Sequence, residues 1–413
     1  MTVRTMHEIA SLDRSRRTDS LGELAPRAAK TAWIVGGAGL ALAVLSAVFF
    51  DDGWRHFNYS YLVNYAFYLS ISLGALSFVA LQHATRAGWS VTFRRLNEIL
   101  AANMPLMAIL FIPLALSLFL PAAAPYVWAN PDLAEHSPLV QHKQPFLNVP
   151  FFLLRSAIYL GLWIWMARFF FTRSIRQDVS GDPELTVQME RFSGPIILLF
   201  ALTTTFASFD WLMSVEPEWF SSIYGVYYYG GATVGGLAAA ILAAMAAQRA
   251  GYAAQSITTE HYHDMGKLLF AFVVFWGYIA FSQYMLIWYA NIPEETTWYL
   301  DRQSSAWLPA SIALLLGHLF IPFLGMISRE VKRRKVLLGF WCVWLLAFHW
   351  LDMFYLVMPS FASDRFPLGL IDLGLLVGLG GLYVGGLLRT AANVALVPTK
   401  DPRLPEALAF ENL

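Results

Sequence analysis

Ten apolar stretches divide this chain, each long enough to cross a bilayer, and its basic residues fall almost entirely in alternate gaps between them. The stretches run at about 31–50, 59–82, 104–123, 147–171, 194–214, 223–247, 267–291, 307–327, 335–357 and 368–388. Each covers the roughly 20 residues that a helix needs to span a hydrocarbon core about 30 Å thick. Of 28 Lys and Arg, 23 lie in the N-terminal arm, in the even-numbered gaps with the span ends that border them, or in the C-terminal tail. The odd-numbered gaps hold Arg55, Lys143, Arg302 and Arg365, and Arg155 lies inside span 4. Such a positive-inside bias predicts ten transmembrane helices with both termini in the cytoplasm.

A composition that is 57% hydrophobic and 14% charged, with a mean hydropathy of +0.52, excludes an ordinary soluble domain. The net charge of zero carries no information, because the charges are sorted by side. Residues 1–30 are polar and carry six basic residues. The first apolar stretch is longer than a signal-peptide core and is read as a retained span. Cys342 is the only cysteine and lies inside span 9. It allows no intrachain disulfide, no C-x-x-C-H haem attachment and no cysteine-held iron–sulfur cluster. Any redox metal centres that the chain serves therefore belong to other chains, and nothing points to nucleic acid.

The connections are too short for a separate folded unit, so the reading is one membrane domain, 31–388, between a cytoplasmic arm, 1–30, and a cytoplasmic tail, 389–413. The inner loop His83–Asn103 carries Arg94, Arg95 and Glu98 at helical spacing and reads as an interfacial amphipathic helix. The outer loop holds Pro121, Pro125, Pro131, Pro138, Pro145 and Pro150 and reads as irregular. Pro113 and Pro322 predict kinks within spans. A faint repeat links Tyr68-x5-Gly74-Ala75-Leu76 in span 2 with Tyr229-x5-Gly235-Gly236-Leu237 in span 6. Asp210-Trp-Leu-Met in span 5 likewise matches His349-Trp-Leu-Asp352 in span 9. Both pairs are four spans apart and run in the same direction. They predict two four-helix bundles, spans 2–5 and 6–9, with spans 1 and 10 peripheral. Chance matching among aromatic and glycine-rich membrane helices is the competing explanation.

Ionisable side chains at membrane depth are costly against lipid and mark candidate functional sites. Here they are Arg155, Asp210, His318, His349, Asp352 and Asp372. At 1.5 Å per residue the topology puts most of them in the outer half and His318 near mid-membrane. His349 and Asp352, at i,i+3, share a helix face and suit proton exchange through a water. Arg155 and Tyr159 share a face of span 4, and Thr203 and Asp210 share one of span 5. Tyr278 and Gln283 add polar groups to span 7. Structural alternatives stand beside these: an Arg155–Asp210 or Arg155–Asp352 ion pair, histidines bonded to backbone carbonyls, and an interfacial Asp372. The inner run His261-Tyr-His263-Asp264 is weak as a metal motif and reads better as a solvated or proton-collecting loop. Arg329-Glu-Val-Lys-Arg-Arg-Lys335 reads as a topology determinant in contact with lipid headgroups.

Several stretches resemble one family. They are Phe206-Ala-Ser-Phe-Asp210-Trp-Leu-Met-Ser-Val-Glu216-Pro-Glu-Trp-Phe220, Lys267-Leu-Leu-Phe-Ala-Phe-Val-Val-Phe-Trp276, Phe281-Ser-Gln-Tyr284, Ile287-Trp-Tyr-Ala-Asn291-Ile-Pro-Glu-Glu295-Thr-Thr-Trp298-Tyr and His349-Trp-Leu-Asp352. Together they resemble the membrane F subunits of bacterial alternative complex III, in the NrfD/PsrC-like (polysulfide-reductase membrane subunit) superfamily. The resemblance runs from span 2 to span 9, and its most specific element is Trp-Tyr-x-Asn-Ile-Pro-Glu-Glu. It implies an all-α protein of the bacterial inner membrane with two four-helix bundles. It also implies a quinol:electron-acceptor oxidoreductase complex. The partners there are a sister NrfD-like subunit, an iron–sulfur subunit, c-type haem subunits and a terminal oxidase. Haem and iron–sulfur clusters stay in those partners, and the better-supported quinol site of the family is in the sister subunit.

These readings converge on a non-metal membrane subunit of a quinol-oxidising respiratory complex, one that conducts protons and is not catalytic alone. Asp210 and the His349/Asp352 pair are the expected protonatable sites, with Arg155 tuning them. Tyr278, Gln283 and His318 would continue the path inward, and Asp372 is a further candidate. Arg155, Tyr159 and Asp210 are the candidates for a quinone pocket or proton exit, with menaquinone or another quinone as the ligand. Two other classes compete: a secondary transporter, and a purely structural anchor for partner subunits.

Overall fold

The computed structural model describes residues 20–22, 24–50, 52–120, 123–130 and 137–412. Most of the N-terminal arm, with Pro121 and Pro131 of the outer loop, lies outside the described residues. Those described are helical, with no strand among them. Ten helices are long and apolar enough to cross a membrane: α1 Leu24–Phe49, α2 Gly53–Ala84, α3 Val91–Ser117, α4 Val149–Ser180, α5 Glu184–Val215, α6 Tyr224–Arg249, α7 Thr259–Ala290, α8 Leu308–Met326, α9 Lys335–Ser360 and α10 Leu370–Ala391. An integral, multi-pass membrane protein follows from them.

Two helices form the centre. Within its most apolar window α2 is 94% buried and α6 78%, whereas the other eight keep half or more of theirs facing out. Small residues let these two cross closely. A Cβ on Gly74 would stand 2.0 Å from the Ala232 carbonyl oxygen, and one on Gly236 would stand 2.7 Å from the Ala75 nitrogen. Close backbone approach of this kind is how membrane helices gain packing energy in a solvent as apolar as their side chains. The two segments that match in sequence are thus the two that pack on each other.

Around this pair, α2 touches α3, α3 touches α4, α4 touches α5 and α5 returns to α2. Likewise α6 touches α7, α7 touches α8, α8 touches α9 and α9 returns to α6. α5 also reaches α6, and α9 reaches α2. α1 and α10 bind each other through facing glycines, Gly36 and Gly39 against Gly374, Gly378 and Gly381, and α10 lies on α2.

Several local expectations need correcting. The helix Val91–Ala101 that opens α3 exists, but every residue in it is buried, so it is not interfacial. Its charges are met within the helix, where Arg95 bonds Glu98 at 3.0 Å, and from distant segments: Arg95 bonds Asp178 at 2.7 Å and the Ala395 carbonyl at 2.9 Å, and Arg94 pairs with Asp401. The chain after α10 folds back over this helix. His261 and His263 are buried in the first turn of α7, where Thr258 and His261 cap the helix, and not in a solvated loop. The outer loop contains a short helix, Pro138–Lys143, and a 3-10 turn, Val127–Ala129. It packs through Tyr126 to the Trp211 carbonyl and through Trp128 to Ser214, both at 3.1 Å.

Both prolines predicted to kink their spans do mark irregularities. A new helical segment, Ile112–Ser117, begins beside Pro113. Before Pro322 the turn Leu315–Phe320 is a π-helix. Proline has no N–H to give back along the helix, and five residues before it, in the register of the π turn, the Gly317 carbonyl is taken by Trp344 Nε1 at 2.7 Å.

Candidate functional site

The buried ionisable residues separate into two clusters of opposite character. In the first, Asp210 near the end of α5 is fully buried and accepts three bonds. They come from Arg155 Nε at 2.8 Å, Arg155 Nη2 at 2.7 Å and the Tyr159 hydroxyl at 2.8 Å. Arg155 gives another N–H to the Phe146 carbonyl at 2.9 Å, and its guanidinium lies 3.8 and 4.2 Å from the rings of Phe146 and Phe151, which are perpendicular to each other. Bidentate geometry with a third donor is a strong way to hold a charge away from water. Of the two structural pairings considered from sequence, Arg155–Asp210 is the one formed. Every side-chain nitrogen of Arg155 and both carboxylate oxygens of Asp210 have a partner.

The second cluster lies where α2, α6, α7, α8 and α9 converge. Asp352 of α9 is fully buried, yet its hydrogen-bond partners are neutral: the Tyr227 hydroxyl of α6 and Trp276 Nε1 of α7, the latter at 3.2 Å. No cation pairs with it among the described residues. One turn earlier, His349 Nε2 lies 2.7 Å from Ser70 Oγ of α2. Ser70 donates its single hydrogen to the Phe67 carbonyl at 2.6 Å. His349 must therefore donate from Nε2, a tautomer assigned from the bonding network. That leaves Nδ1 as a bare acceptor, and it is buried without a partner among the described residues.

Glycines shape this place. A Cβ on Gly231 would stand 2.9 Å from His349 Cε1, 3.0 Å from Nδ1 and 3.6 Å from Asp352 Oδ2, while one on Gly235 would stand 3.0 Å from Cδ2. The bare nitrogen and the unpaired carboxyl thus face the same spot on α6. His318 completes the group from the π-helical turn of α8. Its ring is fully buried, 4.0 Å from the Trp276 ring and 6.3 Å from the His349 ring, and neither nitrogen has a partner among the described residues. Single π turns recur at functional sites, and buried polar atoms without partners are rare enough to need an explanation.

The remaining candidates lie elsewhere. Asp372 bonds His56 at 3.0 Å and caps its own helix by accepting from the Gly369 N–H at 2.8 Å, which makes it a helix-end residue. Gln283 is buried but donates to the Tyr299 hydroxyl at 3.2 Å, two turns beyond Trp276. Tyr278 is 65% exposed on the outward face of α7 and joins no interior path.

Sequence reasoning missed Tyr227, Trp276, Ser70, Gly231 and Gly235 as parts of the site. It also passed over Arg302, which is fully buried beyond the span ends, stacked 3.5 Å from the Trp298 ring and bonded to Glu216 at 3.1 Å. The glycine signal was visible, since Gly230-Gly231 and Gly235-Gly236 repeat at five-residue spacing, but its reason was not. No family model matches the chain, and no curated protein matches it.

Proposed function

We propose that the chain is the non-metal membrane subunit of a quinol-oxidising respiratory complex of the alternative complex III kind, and that its part is to pass protons. The observation that carries this reading is Asp352. Among the described residues it is a buried carboxyl with no cation, adjoined by a histidine with one unpartnered nitrogen facing the same space and by a second histidine with two unpartnered nitrogens. Groups of this type, enclosed among helices and able to change protonation, are what transfer through a dry interior requires. Arg155 and Asp210 hold the outer-loop side of α4 and α5 and do not carry the proton.

The two closed rings of contacts, α2–α5 and α6–α9, support two four-helix bundles, with α1 and α10 outside them. The matched segments meeting at Gly74 and Gly236 support a parallel duplication. In a transporter built on inverted five-helix repeats, matched segments would be five spans apart and run in opposite directions, whereas these lie in spans 2 and 6. The basic gaps favour both termini in the cytoplasm of the bacterial inner membrane. Haem, iron–sulfur clusters and the quinol itself are assigned to partner subunits.

The experiment is Asp352→Asn in the complex purified with all its subunits. Lower quinol turnover or fewer protons moved per electron, with subunit composition unchanged, is the expected result. Wild-type turnover and proton yield would sink the assignment.

A further inference from the structure

A groove of about 210 Å³ opens between α2, α5 and α6, walled by Ser77, Ala80, Ala201, Thr204, Val226 and Tyr229 among others. Its surface is largely apolar; of the hydroxyls on its walls, Ser77 donates to the Gly74 carbonyl at 2.8 Å, which leaves Thr204, Thr205 and Tyr229. Thr204 is 2% exposed, lines the groove, and has a hydroxyl that bonds to nothing among the described residues. The half-buried Tyr229 likewise gives its hydroxyl hydrogen to no described residue. In a hydrocarbon setting no water is present to satisfy them.

The other half of the chain shows what fits such a place. Tyr229-x5-Gly235-Gly236 of α6 matches Tyr68-x5-Gly74-Ala75 of α2, and the two helices cross at those residues. Beside Tyr68 the position is filled. Its hydroxyl donates to the Leu376 carbonyl of α10 at 2.7 Å, and a Cβ on Gly380 would stand 2.3 Å from the hydroxyl oxygen. A glycine-rich membrane helix thus covers the Tyr68 side, held there by a carbonyl and a small-residue face. Beside Tyr229, with Phe200 and Phe272 edge-on to its ring, the matching side is open.

We propose that the groove beside Tyr229 is the docking site for one transmembrane helix of another subunit. That helix presents a small-residue face to the groove and a backbone carbonyl to the Tyr229 hydroxyl, as α10 does to Tyr68. A lipid acyl chain fills apolar space but offers no acceptor to Tyr229 or Thr204. The proposal rests on the two-bundle, multi-subunit reading given above.

The test places the photo-crosslinker benzoylphenylalanine at Val226, on the groove rim, in the full chain made in its own membrane with its neighbouring subunits. The expected product is an adduct with one apolar helical segment of a membrane subunit, mapped by mass spectrometry to a stretch bearing Gly or Ala at three- to four-residue spacing. Its yield should be at least about tenfold above that from the same probe at Leu324, which faces outward on α8. Ala201→Trp, which fills the groove, should cut the yield about tenfold, and the milder Tyr229→Phe about threefold. An adduct with lipid or quinone, a protein adduct indifferent to both substitutions, or no adduct overturns the proposal. If Asp352→Asn leaves turnover intact while the Val226 adduct forms as described, docking stands and the proton reading falls.

Discussion

Ser70 and His349, 279 residues apart in sequence, meet at 2.7 Å at the centre of the helix assembly. The serine hydrogen is committed to the Phe67 carbonyl, so the imidazole hydrogen must be on Nε2 and the lone pair on Nδ1. This tautomer aims an acceptor at the space beside Asp352. Ser70→Ala removes the only acceptor for Nε2–H among the described residues and should shift His349 toward the Nδ1–H form. Nitrogen NMR on histidine-labelled protein, with the His349 signal identified by its loss in His349→Gln, reads the ratio directly. An unchanged Nε2–H population in Ser70→Ala would show that the serine does not set the tautomer.

Gly231 is required by volume and not by backbone freedom. Its Cβ would fall 2.9–3.0 Å from two atoms of the His349 ring, whose Cδ2 edge lies against Gly235 one turn along the same helix. Gly231→Ala should therefore cost about 1–3 kcal/mol through overpacking, seen as a lower unfolding temperature. In a His349→Ala background the same substitution should cost little, because the obstructing ring is gone. Equal costs in both backgrounds would place the strain elsewhere.

Tyr227 and Asp352 form the only contact in this cluster between a hydroxyl donor and the buried carboxyl. Tyr227→Phe leaves one carboxyl oxygen without a donor, at a cost of roughly 1–3 kcal/mol. Asp352→Asn alone replaces the acid but leaves the phenol an oxygen to bond. Combined in a double-mutant cycle, residues in direct contact should show a coupling of about 0.5–3 kcal/mol. Chemical unfolding of the four proteins in one detergent supplies the numbers. Additivity within error would mean that the hydroxyl and the carboxyl do not interact in solution.

How much of this was legible before the fold is best judged residue by residue. The ten helices were, because hydrocarbon thickness sets a length that composition reveals. His349 and Asp352 were, because ionisable groups stand out in apolar sequence and their i,i+3 spacing survives any tertiary arrangement. Tyr278 and Gln283 were read together, yet five residues apart on a 3.6-residue helix they point in different directions. The helix Val91–Ala101 was misread as interfacial because its charges looked unanswered. Its partners, Asp178 and Asp401, lie 83 and 307 residues away from the arginines they meet, beyond the reach of local pattern. Tyr227 and Ser70 gave no signal, since tyrosine and serine are ordinary in membrane helices until a partner appears beside them.

The Arg155–Asp210 pair should behave as structure, in contrast to Asp352. Both groups are buried, and two of the three bonds that hold each are made with the other. Removing one partner leaves an uncompensated charge in a nonaqueous site, which costs about 3–5 kcal/mol, whereas replacing both by apolar groups of similar size is often neutral. Asp210→Ala should accordingly lower stability sharply, and Arg155→Met/Asp210→Leu should recover most of it. Tyr159 would lose its acceptor in either case, so recovery should be incomplete by about 1 kcal/mol. Turnover of the assembled complex separates the roles: the doubly apolar protein should keep proton yield per electron near wild type, while Asp352→Asn should not. Loss of proton yield in the stable double variant would move Asp210 from the framework of the protein into its proton path.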